Sequence, residues 1–241
     1  MGGIKAVAIV SAFITISFGY DESLSNLFTP SFIAAPAVEA VFQHRFTRGL
    51  GEDSYSFLGG AAVNAGVSGK VWENMGLSLD YFTPNDEIDF GASYSVPITG
   101  RSIAAYGTIH FFNFKENVSR DRLSNALYAA AITVRLLPAR LWFTGNLGYD
   151  GYALVLAPSA GLLLRASEIL DVTAEYCFAH DESLFSENSF AFGVKFNTWR
   201  HQFRVMFSNS LGNGGRNFMG GARDNRLRPG FSIQRLFDFK K

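Results

Sequence analysis

From residue 37 onward the sequence keeps a period of two, in stretches of about ten residues where one parity is apolar and the other small or polar. That rhythm is the mark of β-strands, not of amphipathic helices. In residues 37–46 (AVEAVFQHRF), Ala40, Phe42 and Phe46 share one face with His44 near its end, while Glu39, Gln43 and Arg45 share the other. In residues 61–71, Val63, Ala65, Val67 and Val71 alternate with Asn64, Gly66, Ser68 and Lys70. The pattern recurs over 77–82, 88–96, 103–114, 127–137, 141–149, 154–165, 170–179, 190–197, 202–208 and 231–239, which makes twelve strands. Two places fit less well. Pro158 sits in mid-strand, where it donates no ladder hydrogen bond and predicts a bulge, and residues 162–164 are apolar on both parities.

Composition decides what surrounds these strands. Charged residues are 17% of the chain, against roughly 25% in ordinary soluble domains, while aromatics reach 15% with 24 Phe. Such a chain has too few charges to coat a surface in water. Its 21 basic and 21 acidic side chains cancel, so no basic footprint for nucleic acid exists. Cys177 stands alone, which excludes an internal disulfide, and no Cys/His cluster has zinc spacing. No cofactor is expected.

Lys5 followed by the uncharged run 6–20 has the build of a secretory signal peptide over residues 1–20. Beyond it no run reaches the roughly 18 uncharged apolar residues of a spanning helix. Only helices and closed barrels satisfy their backbone in lipid, so an exported apolar β chain points to an antiparallel transmembrane β-barrel of about twelve strands. The expected division is 1–20 signal, 21–36 lead segment, 37–241 barrel.

Link lengths test this independently, because outer-membrane barrels have short periplasmic turns and long outer loops. Alternate links centre on 72–76, 97–100, 137–140, 166–169 and 197–201, each four or five residues. The other set includes 47–56, 115–122, 180–188 and the longest, 211–230, although links near 83–87 and 150–151 are short. Trp72, Trp142 and Trp199 fall at the short-turn ends, as an interfacial girdle would have them, and Tyr81, Tyr94, Tyr149 and Tyr152 towards the other.

With the apolar parity facing lipid, the lumen receives Glu39, Arg45, Asn64, Lys70, Asp80, Asp89, His110, Arg135, Asn146, Arg165, Asp171, Glu175, Lys195, Arg204 and Gln234. Opposed charges of this kind either pair into a plug that holds the barrel shape or line a wet passage. Cys177, on the same parity, reads as a small core thiol. The loop 211–230 carries Arg216, Arg223, Arg226 and Arg228 against Asp224 alone, a cationic cluster suited to lipopolysaccharide or to an acidic surface of an envelope protein partner. Its glycines, 212–221, lack a following Lys-Ser/Thr, so this is a flexible loop and not a phosphate cradle.

Twelve-strand barrels include outer-membrane phospholipase A, whose His and Ser lie two positions apart on one strand face. Here Met206 occupies the position of the base before Ser208-Asn209, and His201 is roughly 23 Å from Ser208 along an extended strand. The chain is not expected to be an enzyme.

Phe42-Gln43-His44-Arg45-Phe46 in the first strand, Thr198-Trp199-Arg200-His201-Gln202-Phe203 at the start of the eleventh, Ser208-Asn209-Ser210 at its close and Gly230-Phe231-Ser232-Ile233-Gln234-Arg235-Leu236-Phe237 in the last resemble a family of outer-membrane β-barrel proteins of unknown function, over roughly residues 33–239. That resemblance implies a barrel in the bacterial outer membrane and carries over no catalytic residue. The expected function is a narrow channel or solute-binding pore; the alternative is a non-conducting scaffold anchoring an envelope complex through 211–230.

Overall fold

The computed structural model describes residues 24–30, 37–50, 60–99, 102–116, 119–137, 140–178, 185 and 187–238. The signal segment lies outside them, as do parts of the lead segment and of the loops. The twelve strands are β1 (Ala37–Phe46), β2 (Ala61–Lys70), β3 (Met75–Phe82), β4 (Glu87–Thr99), β5 (Ile103–Lys115), β6 (Arg122–Leu137), β7 (Leu141–Asp150), β8 (Val155–Arg165), β9 (Leu170–Cys177), β10 (Ser189–Asn197), β11 (His201–Ser208) and β12 (Arg228–Asp238). Each pairs antiparallel with its neighbours in sequence, and β12 closes on β1 from Ala37↔Asp238 to Arg45↔Gly230. Closure leaves no sheet edge unpaired, which is what lets strands sit in hydrocarbon. No helix among the described residues is long and apolar enough to cross a membrane.

The alternation read from sequence becomes an inside and an outside. Along β7, Trp142, Thr144, Asn146 and Asp150 are buried while Phe143, Leu147 and Tyr149 are exposed. The same holds around the barrel: Phe42 on β1, Phe90 on β4, Ile132 on β6, Phe192 on β10 and Ile233 on β12 all point out, each about 39–46% exposed. In water so continuous an apolar girdle would aggregate; in a bilayer it is the contact surface.

Two local expectations are corrected. No register shift occurs at Pro158, which pairs with Leu147 in a regular ladder; the shifts fall at Pro97/Thr99 and Arg135/Leu137, beside short turns. Proline is tolerated because its nitrogen faces the side of β9, whose last strand residue is Cys177, and there Phe178 N–H donates to the Pro158 carbonyl at 3.0 Å. Trp142 is not a girdle residue. Its ring is buried inside the barrel, with the Arg135 and Arg165 guanidinium carbons 5.4 and 5.0 Å from its centroid. Trp72 and Trp199, on short turns, are 73% exposed, as an interfacial belt requires.

The interior is not empty. Residues 24–30 of the lead segment lie within it, and the 209–227 loop turns back into the long-loop mouth, where Gly214–Met219 forms a short helix, α1. The expectation of a flexible glycine loop is therefore corrected: α1 buries Phe218 and Met219 in the barrel's apolar cluster with Leu24, Leu27, Phe112, Leu127 and Leu163.

Candidate functional site: the barrel interior

The wall formed by β7 to β11 is covered by segment 24–30. Glu175 on β9 is the anchor. Its carboxylate accepts the backbone N–H groups of Ser25 at 2.6 Å, Asn26 at 2.8 Å and Leu27 at 3.2 Å, together with the Asn26 side-chain amide at 3.2 Å. Three successive amides converging on one carboxylate satisfy backbone donors that no strand could take up. Arg204 donates to the Leu24 carbonyl at 3.0 Å, Asn146 to the Phe28 carbonyl at 2.9 Å, and Arg45 to Asn26 Oδ1 at 3.0 Å. Gly161 gives the room for this approach, since a Cβ there would overlap the Leu24 side chain.

Above the segment sits α1, held by Phe218 and Met219 in the apolar cluster and by Arg216 at the mouth. Arg216 forms ion pairs with Glu87 at the start of β4 and with Asp150 at the end of β7, the latter at 2.9 Å, and its guanidinium carbon stands 3.9 Å from the Phe112 ring centroid and 4.7 Å from that of Phe114. The loop's proposed cationic cluster is thereby divided. Arg216 is tucked into the mouth, and Arg228 opens β12, is 3% exposed, and donates to the carbonyls of Thr47 and Asn209 and to Asp224. Only Arg223 and Arg226 are exposed. Outside the strands, hydrogen bonding to Arg228 is the main cause holding the Asp224 carboxyl below its usual range.

The wall formed by β1 to β5 is different. A cavity of about 220 Å³ runs beside segment 24–28, lined by Glu39, Gln43, Asn64, Ser68, Asp80, Asp89 and His110 and roofed by Gly214, Gly215 and Arg216. A second, about 150 Å³, opens at the short-turn end among Glu39, Ser68, Lys70, Ser78, Ser93, Ser95 and Thr108. Glu39 and Ser68 line both. Each cavity has space for several waters.

The residues assigned to the lumen by sequence thus fall into two groups. Glu39, Asn64, Lys70, Asp80 and His110 border the cavities. Arg45, Asn146, Glu175 and Arg204 hold the internal segment, Lys195 is wholly buried with Asp171 and Arg204 as its register partners, and Arg135 stacks on Trp142. Sequence reasoning missed segment 24–30, α1 and the Glu87 and Asp150 partners of Arg216. A signal was present: Phe112, Leu127, Leu163 and Met206 are apolar on the inward parity, and an inward apolar patch needs something to pack on it.

The serine and histidine compared with the phospholipase pair lie at opposite ends of β11. Ser208 is wholly buried, its hydroxyl donates to the Phe190 carbonyl at 2.8 Å, and Met206, on its face, lies against Arg45. His201 begins β11 at the opposite end and stacks near Phe203. Among the described residues, no group of three His, Cys, Asp or Glu side chains could hold a metal ion.

Closed topology, apolar girdle and polar interior together define a membrane-embedded β-barrel. The family described as "Membrane bound beta barrel domain (DUF5777)" matches residues 153–237, a span that contains the β11 and β12 motifs of the sequence resemblance but not its Phe42–Phe46 motif in β1. Solved structures with the same fold include the KdgM porin, at 8% identity with a TM-score of 0.56, 84% of this chain and 99% of that one being covered. The KdgM porin in complex with disordered oligogalacturonate gives a TM-score of 0.58 at 8% identity over the same shares. The NanC porin gives 0.51 at 9% identity, covering 85% of this chain and 100% of that one. No curated protein matches the sequence. The chain is a twelve-stranded barrel of the bacterial outer membrane with the fold of small porins.

Proposed function

We propose that the barrel is a narrow channel for small polar solutes, held closed in this conformation by its own interior elements. The observation that carries this reading is the asymmetry of the lumen. Polar cavities sharing Glu39 and Ser68 follow the β1 to β5 wall up from the short-turn end, while segment 24–30 is fastened to the opposite wall and α1 closes the long-loop mouth. A barrel serving only as a scaffold gains nothing from water-sized space along one wall, and a dry, fully packed interior would be more stable. Arg223 and Arg226, exposed at the long-loop end, are assigned contact with anionic lipopolysaccharide groups.

The test is single-channel recording in planar bilayers with the purified chain and its Arg216→Ala variant. Removing Arg216 leaves Glu87 and Asp150 uncompensated at the mouth and frees α1, so the variant opens more often than the native protein. Silence in both, and in a Leu24→Ala/Leu27→Ala variant that also loosens segment 24–30, refutes the channel and supports the non-conducting scaffold, whose partner would then be sought through the 211–230 loop.

A further inference from the structure

Lumen charges differ in how fully they are compensated. The buried arginines of β1 and β11 are used locally. Arg45 donates to the carbonyls of Ser210 and Gly212 and to Asn26, and Arg204 to the Leu24 carbonyl, Gln202 and Gln234. At the roof of the open wall, Arg216 is engaged by Glu87 and Asp150. Below it, Asp80 on β3 and Asp89 on β4 are direct register partners, and both line the larger cavity. Like charges directly opposite across a ladder have Cβ atoms about 4.5–5.5 Å apart and destabilise the pair. The wall nevertheless makes room for them. Gly66 lies inward where a Cβ would overlap the Asp80 carboxylate, and Gly91 where one would overlap the His110 imidazole.

The compensation present is partial. His110 Nδ1 is 2.9 Å from Asp89 Oδ1, with Phe28 against the imidazole ring at 5.1 Å. The Asn64 side-chain amide donates to the Asp80 carboxylate. Asn64 is 5% exposed, lines the same cavity, and its Oδ1 has no hydrogen-bond partner among the described residues. Two carboxylates and an unpartnered amide oxygen therefore converge on one cavity, with the His110 imidazole against them and Arg216, already paired with Glu87 and Asp150, at its roof. More acceptor oxygens than donors, beside incompletely cancelled negative charge, are complementary to a positive ion.

We propose that Asp80, Asp89 and Asn64 form a cation-selecting constriction, so that the solutes this channel passes are small inorganic cations. The assignment rests on the channel reading, and its test separates the two. The full chain and a Leu24→Ala/Leu27→Ala variant, which loosens the internal segment without changing charge, are recorded in planar bilayers across a KCl gradient, folding being checked by heat-modifiable migration. The reversal potential falls on the potassium side. Asp80→Asn and Asp89→Asn, placed in the same background, each lower the K⁺/Cl⁻ permeability ratio roughly twofold or more, the effect of a unit charge about 8 Å away in a water-like medium. Asn64→Leu, which keeps the formal charge, lowers it as well. A channel that conducts but prefers chloride, or whose ratio is unmoved in both Asn variants, overturns the cation assignment and leaves the channel standing. Absence of current in every variant overturns both.

Discussion

Arg204 and Glu175 show how far a residue's role depends on what lies opposite it. On parity alone both belong to the lumen, and a charged lumen residue in a wet pore should set ion selectivity. In the folded chain Arg204 is 1% exposed and spends its donors on Leu24, Gln202 and Gln234, so it is an anchor. Arg204→Ala strands the Leu24 carbonyl and two glutamine acceptors, each buried acceptor left unsatisfied costing about 1–3 kcal/mol. The expected outcome is a lower temperature for the heat-modified band shift, with permeability ratios little changed among the channels that remain folded. Glu175→Gln keeps the shape but turns one acceptor oxygen into an amide donor, so that at least the Ser25 bond is lost and the bonds to the remaining oxygen lose their charge assistance, each weakened by about 1 kcal/mol. Segment 24–30 should then become accessible to protease in folded, detergent-solubilised protein; unchanged protection would mean that Glu175 is not what holds it.

At the scale of elements, the strands were legible because their cause is local. A period of two with one apolar face specifies both conformation and register, since a slip by one residue would put Glu39 or Asp80 into lipid. Residues 37–46 were read to the residue for this reason. The interior elements were not legible, because their cause is tertiary. Nothing in a run with Gly212, Gly214, Gly215, Gly220 and Gly221 favours a helix; α1 exists because Phe218 and Met219 find the apolar cluster and Arg216 finds Glu87 and Asp150. Likewise Trp142 belongs by position to an interfacial girdle, and only the inward parity shared with Thr144 and Asn146 reveals otherwise. If packing of Phe218 holds α1 in the mouth, Phe218→Asp expels the helix while the barrel stays closed. Its conductance should rise above that of the native chain with heat-modifiable migration preserved; an equally silent channel would show that α1 does not block the mouth.

For the whole molecule, two surfaces with opposite demands come from one alternation. The outer face needs only an unbroken apolar girdle, and many residues meet that need interchangeably. The inner face is specific: one wall carries the anchors of segment 24–30, the other carries Asp80, Asp89 and His110 along open space. The central claim is that this segment, seated against β8 and β9, keeps the passage shut. It is tested most directly by tethering the segment with a Leu24→Cys/Gly161→Cys pair in a Cys177→Ser background, since a Cβ at 161 falls against the Leu24 side chain. Recorded in a bilayer, the oxidised protein should be silent and should begin to conduct when dithiothreitol is added. Equal conductance before and after reduction would contradict the account.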